Sequence, residues 1–344
     1  MPVPGDRELR ILENISLRPY HTFGTDARSR YFAVLTDRRQ LAPFLTSAGK
    51  ELRPLLFIGE GSNILFTKDF PGTVIRVANR GITADDSDDR WVYLTAGAGE
   101  PWDDLVKFAV ERGWGGIENM SLIPGNAGTA PVQNIGAYGT ELKDLLWSVE
   151  AVDLGTLKPR TFLNDECCFG YRDSLFKQSK GKYLIMEITL RLSKNPVFNL
   201  EYGQVREELQ RHVKGRPTLQ QVREAVIRIR TGKLPDPKVT GNAGSFFRNP
   251  VVSGELLDQI RFEHPGVVSY PFGDQFKLAA AWLIEQCGWK GRRQGDAGVY
   301  PKQPLVLVNY GSATGKEILD LANQVRDSVL EKFGVELSYE VNIF

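Results

Sequence analysis

The apolar positions of this chain come in short runs broken by glycine-rich turns, and their period changes along its length. Residues 51–66, ELRPLLFIGEGSNILF, predict a strand, a glycine-rich turn and a second strand. TVIRVA and WVYLTAGAG continue as short strands. PWDDLVKFAVERG shifts to helical spacing, with Pro101 in the first turn and Gly113 at the C-terminal cap. LWSVEAVDL and LIMEITLRL return to strand texture. Thr218 and Gln221 predict a capping box ahead of Val222, Ala225, Val226 and Ile229 at helical spacing. The stretch KLPDPK, 233–238, ends that helix and reads as a hinge between domains. Beyond it, GSFFRN predicts a strand, FKLAAAWLIEQCG a helix and PLVLVN a strand. A long helix follows from about Lys316, capped by Thr314 and Glu317 and ended by Gly334. The closing VELSYEVNIF alternates through Val335, Leu337, Tyr339, Val341 and Ile343, the pattern of a half-buried strand. The mixture is that of the α+β class.

One stretch, 113–139, has no period at all. It is rich in glycine yet too apolar to be disordered, and such a loop inside a compact domain is usually functional. It contains Gly-Asn-Ala-Gly at 125–128 followed by Thr129, and the same tetrapeptide recurs at 241–244 followed by Ser245. The flanks differ, SLIP before the first copy and PKVT before the second, so this is not an internal repeat. Both copies point to a bare backbone approached closely, with a hydroxyl beside it. The turn GEGSN, 59–63, offers several backbone N–H groups with little side-chain bulk, which suits a pyrophosphate. Neither stretch fits GxGxxG between strand and helix, which excludes the Rossmann reading. Tight turns packing on one another are the plain alternative.

Composition narrows the class. With 344 residues the chain is long enough for two or three domains. It has 43 Lys+Arg against 42 Asp+Glu, a balance that argues against a nucleic-acid partner. No apolar run approaches the roughly 18 residues of a membrane span, and MPVPGDRELR has no apolar leader core. Cys167, Cys168 and Cys287 form no CxxC, which suggests reduced thiols in the cytosol, the first two as core residues. His21, His212 and His264 are scattered, so metal-ligand spacing is absent.

GEGSNILF, LIPGNAGTAPVQNIGAYG, FGYRDSLFK, RTGKLPDPKVTGNAGSFFRNP and the ending YEVNIF, in that order, resemble the UDP-N-acetylenolpyruvoylglucosamine reductases. The resemblance runs from YHTFG at 20–24 to the end, and several of its motifs are long. It implies a two-subdomain FAD-binding fold of the vanillyl-alcohol-oxidase (PCMH) type over 1–72 and 73–234, and a C-terminal α+β substrate domain over 235–344. It implies non-covalent FAD, NADPH as electron source, and the enolpyruvyl ether of UDP-N-acetylglucosamine as substrate. It further implies a cytoplasmic monomer of peptidoglycan precursor synthesis, of the subtype with a tyrosine-bearing loop. For FAD, the matching positions in GEGSN are Gly59, Glu60, Gly61, Ser62 and Asn63. The central loop supplies Ile123, Pro124, Gly125, Gly128, Thr129, Val132 and Gly136, and the LIMEITLRL strand supplies Ile185.

The chemistry explains the residue types. A flavin hydride adds to the terminal vinyl carbon, and negative charge builds on its neighbour and spreads into the carboxylate. Such a transition state needs a fixed cation, hydrogen-bond donors and a proton source. The resemblance makes Arg172 the cation; its guanidinium grips a carboxylate bidentately and cannot deprotonate. It makes Ser245 the proton donor, a role a serine can fill only against a strongly basic carbanion. Glu340 is the third member, placed by alternation on the polar face with Glu336, Ser338 and Asn342. On the substrate side stand Tyr202, whose loop folds over the nucleotide, then Tyr138, Lys233, Asn249, Tyr270 and Gln303. Lys233 suits a diphosphate as a mobile point charge. Gly244 lets the backbone in close to the flavin edge, and Phe246 and Phe247 are expected to alternate between core and cleft.

Each residue also has a plain reading: a surface ion pair for Arg172, a turn or cap for Ser245, a solvated strand face for Glu340, a loop anchor for Tyr202. Two positions depart from the pattern. Many relatives carry Asn where this chain has His21, and histidines in this fold can anchor flavin covalently; many of this subtype carry His where it has Tyr300. A flavin-dependent sugar or alcohol oxidase on the same fold, or a non-catalytic nucleotide-sugar binding protein, are the competing readings.

Overall fold

The computed structural model describes residues 8–344; the leader-free reading of MPVPGDR lies outside them. The chain divides into two compact units. One comprises Tyr31–Glu60 and Gly72–Gly232 with residues 8–13; the other comprises Asn14–Arg30, Gly61–Pro71 and Lys233–Phe344. Residues 8–72 are thus divided between the two units. Part of the reason is a strand pair no local pattern announces: Asn342–Ile343 runs parallel to Ile64–Leu65. Phe23 and Leu65 also share one apolar cluster with Phe246, Leu307 and Val325, so these N-terminal segments complete the C-terminal core.

The first unit is built on a five-stranded antiparallel sheet, ordered Pro159–Leu163, Leu146–Asp153, Tyr183–Ser193, Trp91–Gly97 and Ile82–Asp85. The helix Trp102–Glu111 starts after Pro101, carries Asp103 and Asp104 in its first turn, and is followed by Gly113 at φ +77°. It buries Trp102, Leu105, Val106 and Ala109 in one cluster with Leu94, Ile188 and Leu190 of the sheet. A smaller sheet sets Arg28–Leu35, Phe70–Val77 and Leu55–Ile58 side by side, the last two parallel. The expected capping box forms: Thr218 N–H donates to Gln221 Oε1 (2.9 Å) and Gln221 N–H to Thr218 Oγ1 (3.3 Å), opening the helix Leu219–Lys233.

The second unit holds a four-stranded antiparallel sheet, Gly241–Ser245, Val306–Asn309, Ala297–Val299 and Arg293–Gln294. A three-stranded sheet joins Val251–Val252, Gln275–Leu278 and Ser269–Phe272. The long helix Gly315–Phe333 has its Thr314–Glu317 capping box and ends at Gly334, φ +66°. Two expectations change here. FKLAAAWLIEQCG is not one helix: Phe276–Leu278 belong to a strand, and the helix is Ala280–Gln286, opened by Asn249 Oδ1 accepting from Ala280 N–H (3.0 Å). The closing segment keeps its alternation, with Val335, Leu337 and Val341 buried, but it pairs only through a Phe247–Tyr339 bridge and at Asn342–Ile343. Among the described residues, no helix is long and apolar enough to cross a membrane.

Candidate active site

In the first unit, three glycine-bearing turns are fastened together by one side chain. Asn126 Oδ1 accepts from Glu60 N–H (2.6 Å), and Asn126 Nδ2 donates to Gly99 O (2.9 Å). Backbone bonds from Trp102 to Gly125 O (2.9 Å), Ala127 to Glu100 O (2.8 Å) and Gly128 to Ala98 O (2.9 Å) complete the seam. A Cβ on Gly59 would lie 2.4 Å from Asn126 Oδ1, and one on Gly128 would lie 2.3 Å from Ala98 Cβ. At these two glycines, missing bulk is used for close packing against side chains of neighbouring turns, the plain reading of the glycine clusters. Thr129 Oγ1 donates to Asn126 O (2.9 Å). Ile123 and Val132 lie half-buried against the core that contains Ile185, a buried residue of the Tyr183–Ser193 strand.

The same seam leaves a polar atom for a ligand. Asn79 Nδ2 donates to Met186 O (2.7 Å), and Gly99 N–H donates to Asn79 O (2.9 Å), while Asn79 Oδ1 is buried without a partner. An open acceptor between bare-backbone turns suits a ring or amine N–H such as FAD carries. The residues present therefore fit the group.

Arg172 lies in a turn closed by Gly170 and Asp173, which exchange backbone bonds of 3.0 and 3.3 Å. Its guanidinium donates to Asn134 O (3.5 Å) and Gly136 O (3.3 Å), and Lys177 Nζ holds its own carbonyl (2.9 Å). Asn134, Tyr138, Cys168 and Arg172 all have left-handed backbone, φ +46° to +54°. Outside glycine each such residue costs about 1–3 kcal/mol and persists only where its surroundings force it. Cys168, expected in the core, is exposed, because the short helix Asn164–Cys167 ends on this left-handed residue and turns its side chain out; Cys167 is the buried one, its thiol pushed up to about 12 by burial.

Tyr138 belongs to the same loop. Its ring meets Tyr202 edge-on, centroids 5.5 Å apart. Asn119 Nδ2 donates to Tyr138 O (2.9 Å) and Asn199 O (2.8 Å), so one buried amide ties both tyrosine-bearing loops. Sequence reasoning missed Asn119, Asn126 and Asn134. The signal was there: an amide inside a glycine-rich stretch can both donate and accept, and Asn tolerates left-handed backbone.

In the second unit, the second GNAG forms the strand Gly241–Ser245. Asn242 again works on backbone: Nδ2 donates to Pro235 O (3.2 Å) and Thr240 O (2.9 Å), and Oδ1 accepts from Gly244 N–H (3.0 Å). The Asn, rather than either glycine, is the common part of the repeated string. Gly244 does have φ +68° and nothing within 4 Å of where a Cβ would stand. Ser245 is half-buried opposite Val306. Glu340 N–H donates to Phe246 O (2.8 Å), and Arg248 N–H to Ser338 O (3.0 Å), which sets Glu340 on the chain flanking Ser245. Phe246 and Phe247 do not alternate: both are buried, with Tyr339 packed on each, because the strand ends at Ser245 after a register shift.

Gly61, at φ +67°, is pressed against His21; a Cβ there would lie 2.6 Å from His21 Cα. Asn63 Nδ2 donates to Glu340 O (3.2 Å), tying the GEGSN turn to the C-terminal segment. Ser62 is half-buried between them in sequence. His21 Nε2 donates to Thr25 O (3.1 Å), and its Nδ1 is buried without a partner. Of the substrate-side residues, Lys233 ends its helix, Tyr270 is exposed opposite Lys277, and Gln303 sits in the Tyr300–Val306 turn, its carbonyl accepting from Val306 N–H (2.9 Å).

Residues 29–156 match the model of an FAD binding domain, and residues 236–344 match that of the UDP-N-acetylenolpyruvoylglucosamine reductase C-terminal domain. The UDP-N-acetylenolpyruvoylglucosamine reductase of Pseudomonas putida is 47% identical over 333 residues, covering 96% of this chain and 98% of its own. The chain belongs to the UDP-N-acetylenolpyruvoylglucosamine reductase family. The Pseudomonas aeruginosa reductase is 47% identical over 98% of this chain and 99% of its own. The crystal structure of the Thermus caldophilus reductase superimposes with a TM-score of 0.69 at 26% identity, covering 98% and 99% of the two chains. Like its family, this reductase is an FAD-containing oxidoreductase of peptidoglycan precursor synthesis.

Proposed function

We propose that this reductase protonates its substrate through Ser245, holds the substrate carboxylate with Arg172, and supports both with Glu340. FAD, when bound, supplies a hydride obtained from NADPH. The observation that supports the reading is the bond from Glu340 N–H to Phe246 O at 2.8 Å, which holds the Glu340 backbone against the chain that follows Ser245. A serine hydroxyl gives up a proton only to a strong base, and the carbon next to the enolpyruvyl carboxylate becomes one once it carries the added negative charge. Gly244 lets the strand approach with no Cβ in the way. Arg172 offers a planar, permanent cation already fixed in a left-handed turn, so little reorganisation accompanies charge development. The Glu340 carboxylate is an acceptor able to hold the serine hydroxyl in line.

Tyr202 serves as the closing residue over the nucleotide, with Tyr138 beneath it, as in the tyrosine-loop subtype. Lys233 takes the diphosphate, and Asn249, Tyr270 and Gln303 line the outer end. The FAD contacts are those of the Gly59–Asn63 turn, the Ile123–Gly136 loop and Ile185. The reductase acts as a monomer in the cytoplasm, in keeping with three unpaired cysteines.

The test is a colour experiment on the holoenzyme. Purified protein is yellow, NADPH bleaches it without oxygen, and the enolpyruvyl UDP-sugar restores the colour. Failure of the UDP-sugar to reoxidise the flavin sinks the reading, and rapid recolouring by oxygen alone favours an oxidase.

A further inference from the structure

The residue that closes over the nucleotide is carried on a helix that could not stand alone. Tyr202 is the N-cap of Gly203–His212, its carbonyl accepting from Val205 N–H (2.9 Å) and Arg206 N–H (3.3 Å). Ten residues make a marginal helix in water. This one buries only Val205 and Leu209, in a small cluster with Val222, Ala225 and Val226 of Leu219–Lys233, against which Tyr138 and Ile229 also pack. What fixes its position along that helix is a carboxylate. Glu208 Oε1 accepts from Arg228 Nε at 2.7 Å and its Oε2 from Arg211 at 3.4 Å, with His212 Nε2 lying 3.2 Å from Oε1. The Glu208 side chain is 12% exposed and its partner Arg228 40%, so the carboxylate is the sheltered end of the clamp. The Arg228 hydrogen bond also holds the Glu208 carboxyl below the usual range.

We propose that Glu208 is a positioning residue of this reductase: by clamping Gly203–His212 to Leu219–Lys233 through Arg228, it sets where Tyr202 stands against Tyr138 over the bound nucleotide. Apolar packing of two side chains tolerates sliding and rotation. A directional bond to a guanidinium does not, and binding groups must be held to about 0.5 Å of their productive place. The inference rests on Tyr202 being the closing residue.

The experiment is a double-mutant cycle on the holoenzyme, read as the dissociation constant for UDP from the flavin absorbance change. Glu208→Gln keeps the shape and removes the charge; it should weaken UDP binding about three- to tenfold and leave kcat at saturating substrate unchanged. Arg228→Met should reproduce this from the other side of the clamp. In a Tyr202→Ala background the effect of Glu208→Gln should vanish, since Glu208 acts through Tyr202. An unchanged dissociation constant in both clamp variants, or an effect that simply adds to that of Tyr202→Ala, overturns the proposal. If Tyr202→Ala alone leaves UDP binding intact, the closing role of Tyr202 falls first and the proposal with it.

Discussion

Glu340 donates its backbone N–H to the carbonyl of Phe246 at 2.8 Å, and its own carbonyl accepts from Asn63 Nδ2 at 3.2 Å. The C-terminal segment is thereby pinned on both sides, to the chain just after Ser245 and to the GEGSN turn. A proton donor whose neighbours are set by backbone bonds can be removed without moving them. Ser245→Ala should accordingly leave reduction of FAD by NADPH nearly intact and slow reoxidation by the enolpyruvyl UDP-sugar by at least about 10²–10⁴, the usual worth of general acid catalysis. Anaerobic stopped-flow measurement of the two half-reactions decides it; equal slowing of both would mean damaged flavin placement.

Arg172 should matter more as charge develops than in the ground state. Arg172→Lys keeps the charge and loses the fork, and should lower kcat more than it raises KM; Arg172→Ala should do so more severely. Reduction of FAD by NADPH builds no charge on the sugar substrate and should be much less affected. If Arg172→Ala releases FAD or leaves turnover untouched, the arginine serves only its contacts to Asn134 O and Gly136 O.

Asn126→Ala tests the seam. The substitution removes the acceptor for Glu60 N–H and the donor to Gly99 O around a buried residue. Leaving such groups unpaired costs about 1–3 kcal/mol each. Thermal unfolding of apo protein should shift to lower temperature, and FAD should be lost on gel filtration. Full FAD retention at unchanged stability would show that backbone bonds alone hold the turns.

His21 gives the stability a pH dependence of known sign. Burial lowers its pKa below the ordinary 6.5, the Thr25 carbonyl opposing only in part. As pH falls through 6.5 the unfolded chain takes up the proton first. The His21 contribution is therefore complete above about 6.5 and is lost as pH falls toward the folded-state value. His21→Asn should flatten the melting temperature between about pH 7 and 5. An identical slope in both proteins would assign the dependence to other groups.

Much was legible in the sequence because it is local. The Thr218–Gln221 and Thr314–Glu317 boxes, Pro101 and Gly334 mark helices whose ends are chosen by hydrogen bonds within a few residues. Alternation placed Val335, Leu337 and Val341 inside. Arg172, Ser245 and Glu340 are candidates named from their strings by resemblance alone. The split of FKL from AAAWLIEQ was not legible, since its strand half exists only through pairing with Ser269–Phe272 and Val251–Val252.

By itself, then, the sequence determined the helices whose caps are local, which family the chain resembles, and which residue types could serve the chemistry. Tertiary structure alone decided that residues 14–30 and 61–71 fold with the C-terminal unit, that Asn63 meets Glu340, and that three asparagines fasten loops far apart in the chain. The reason is physical. A cap or an alternation is satisfied by near neighbours whose distance the backbone fixes, whereas an amide in a glycine-rich loop has many equivalent partners until packing brings one carbonyl within 3 Å or so.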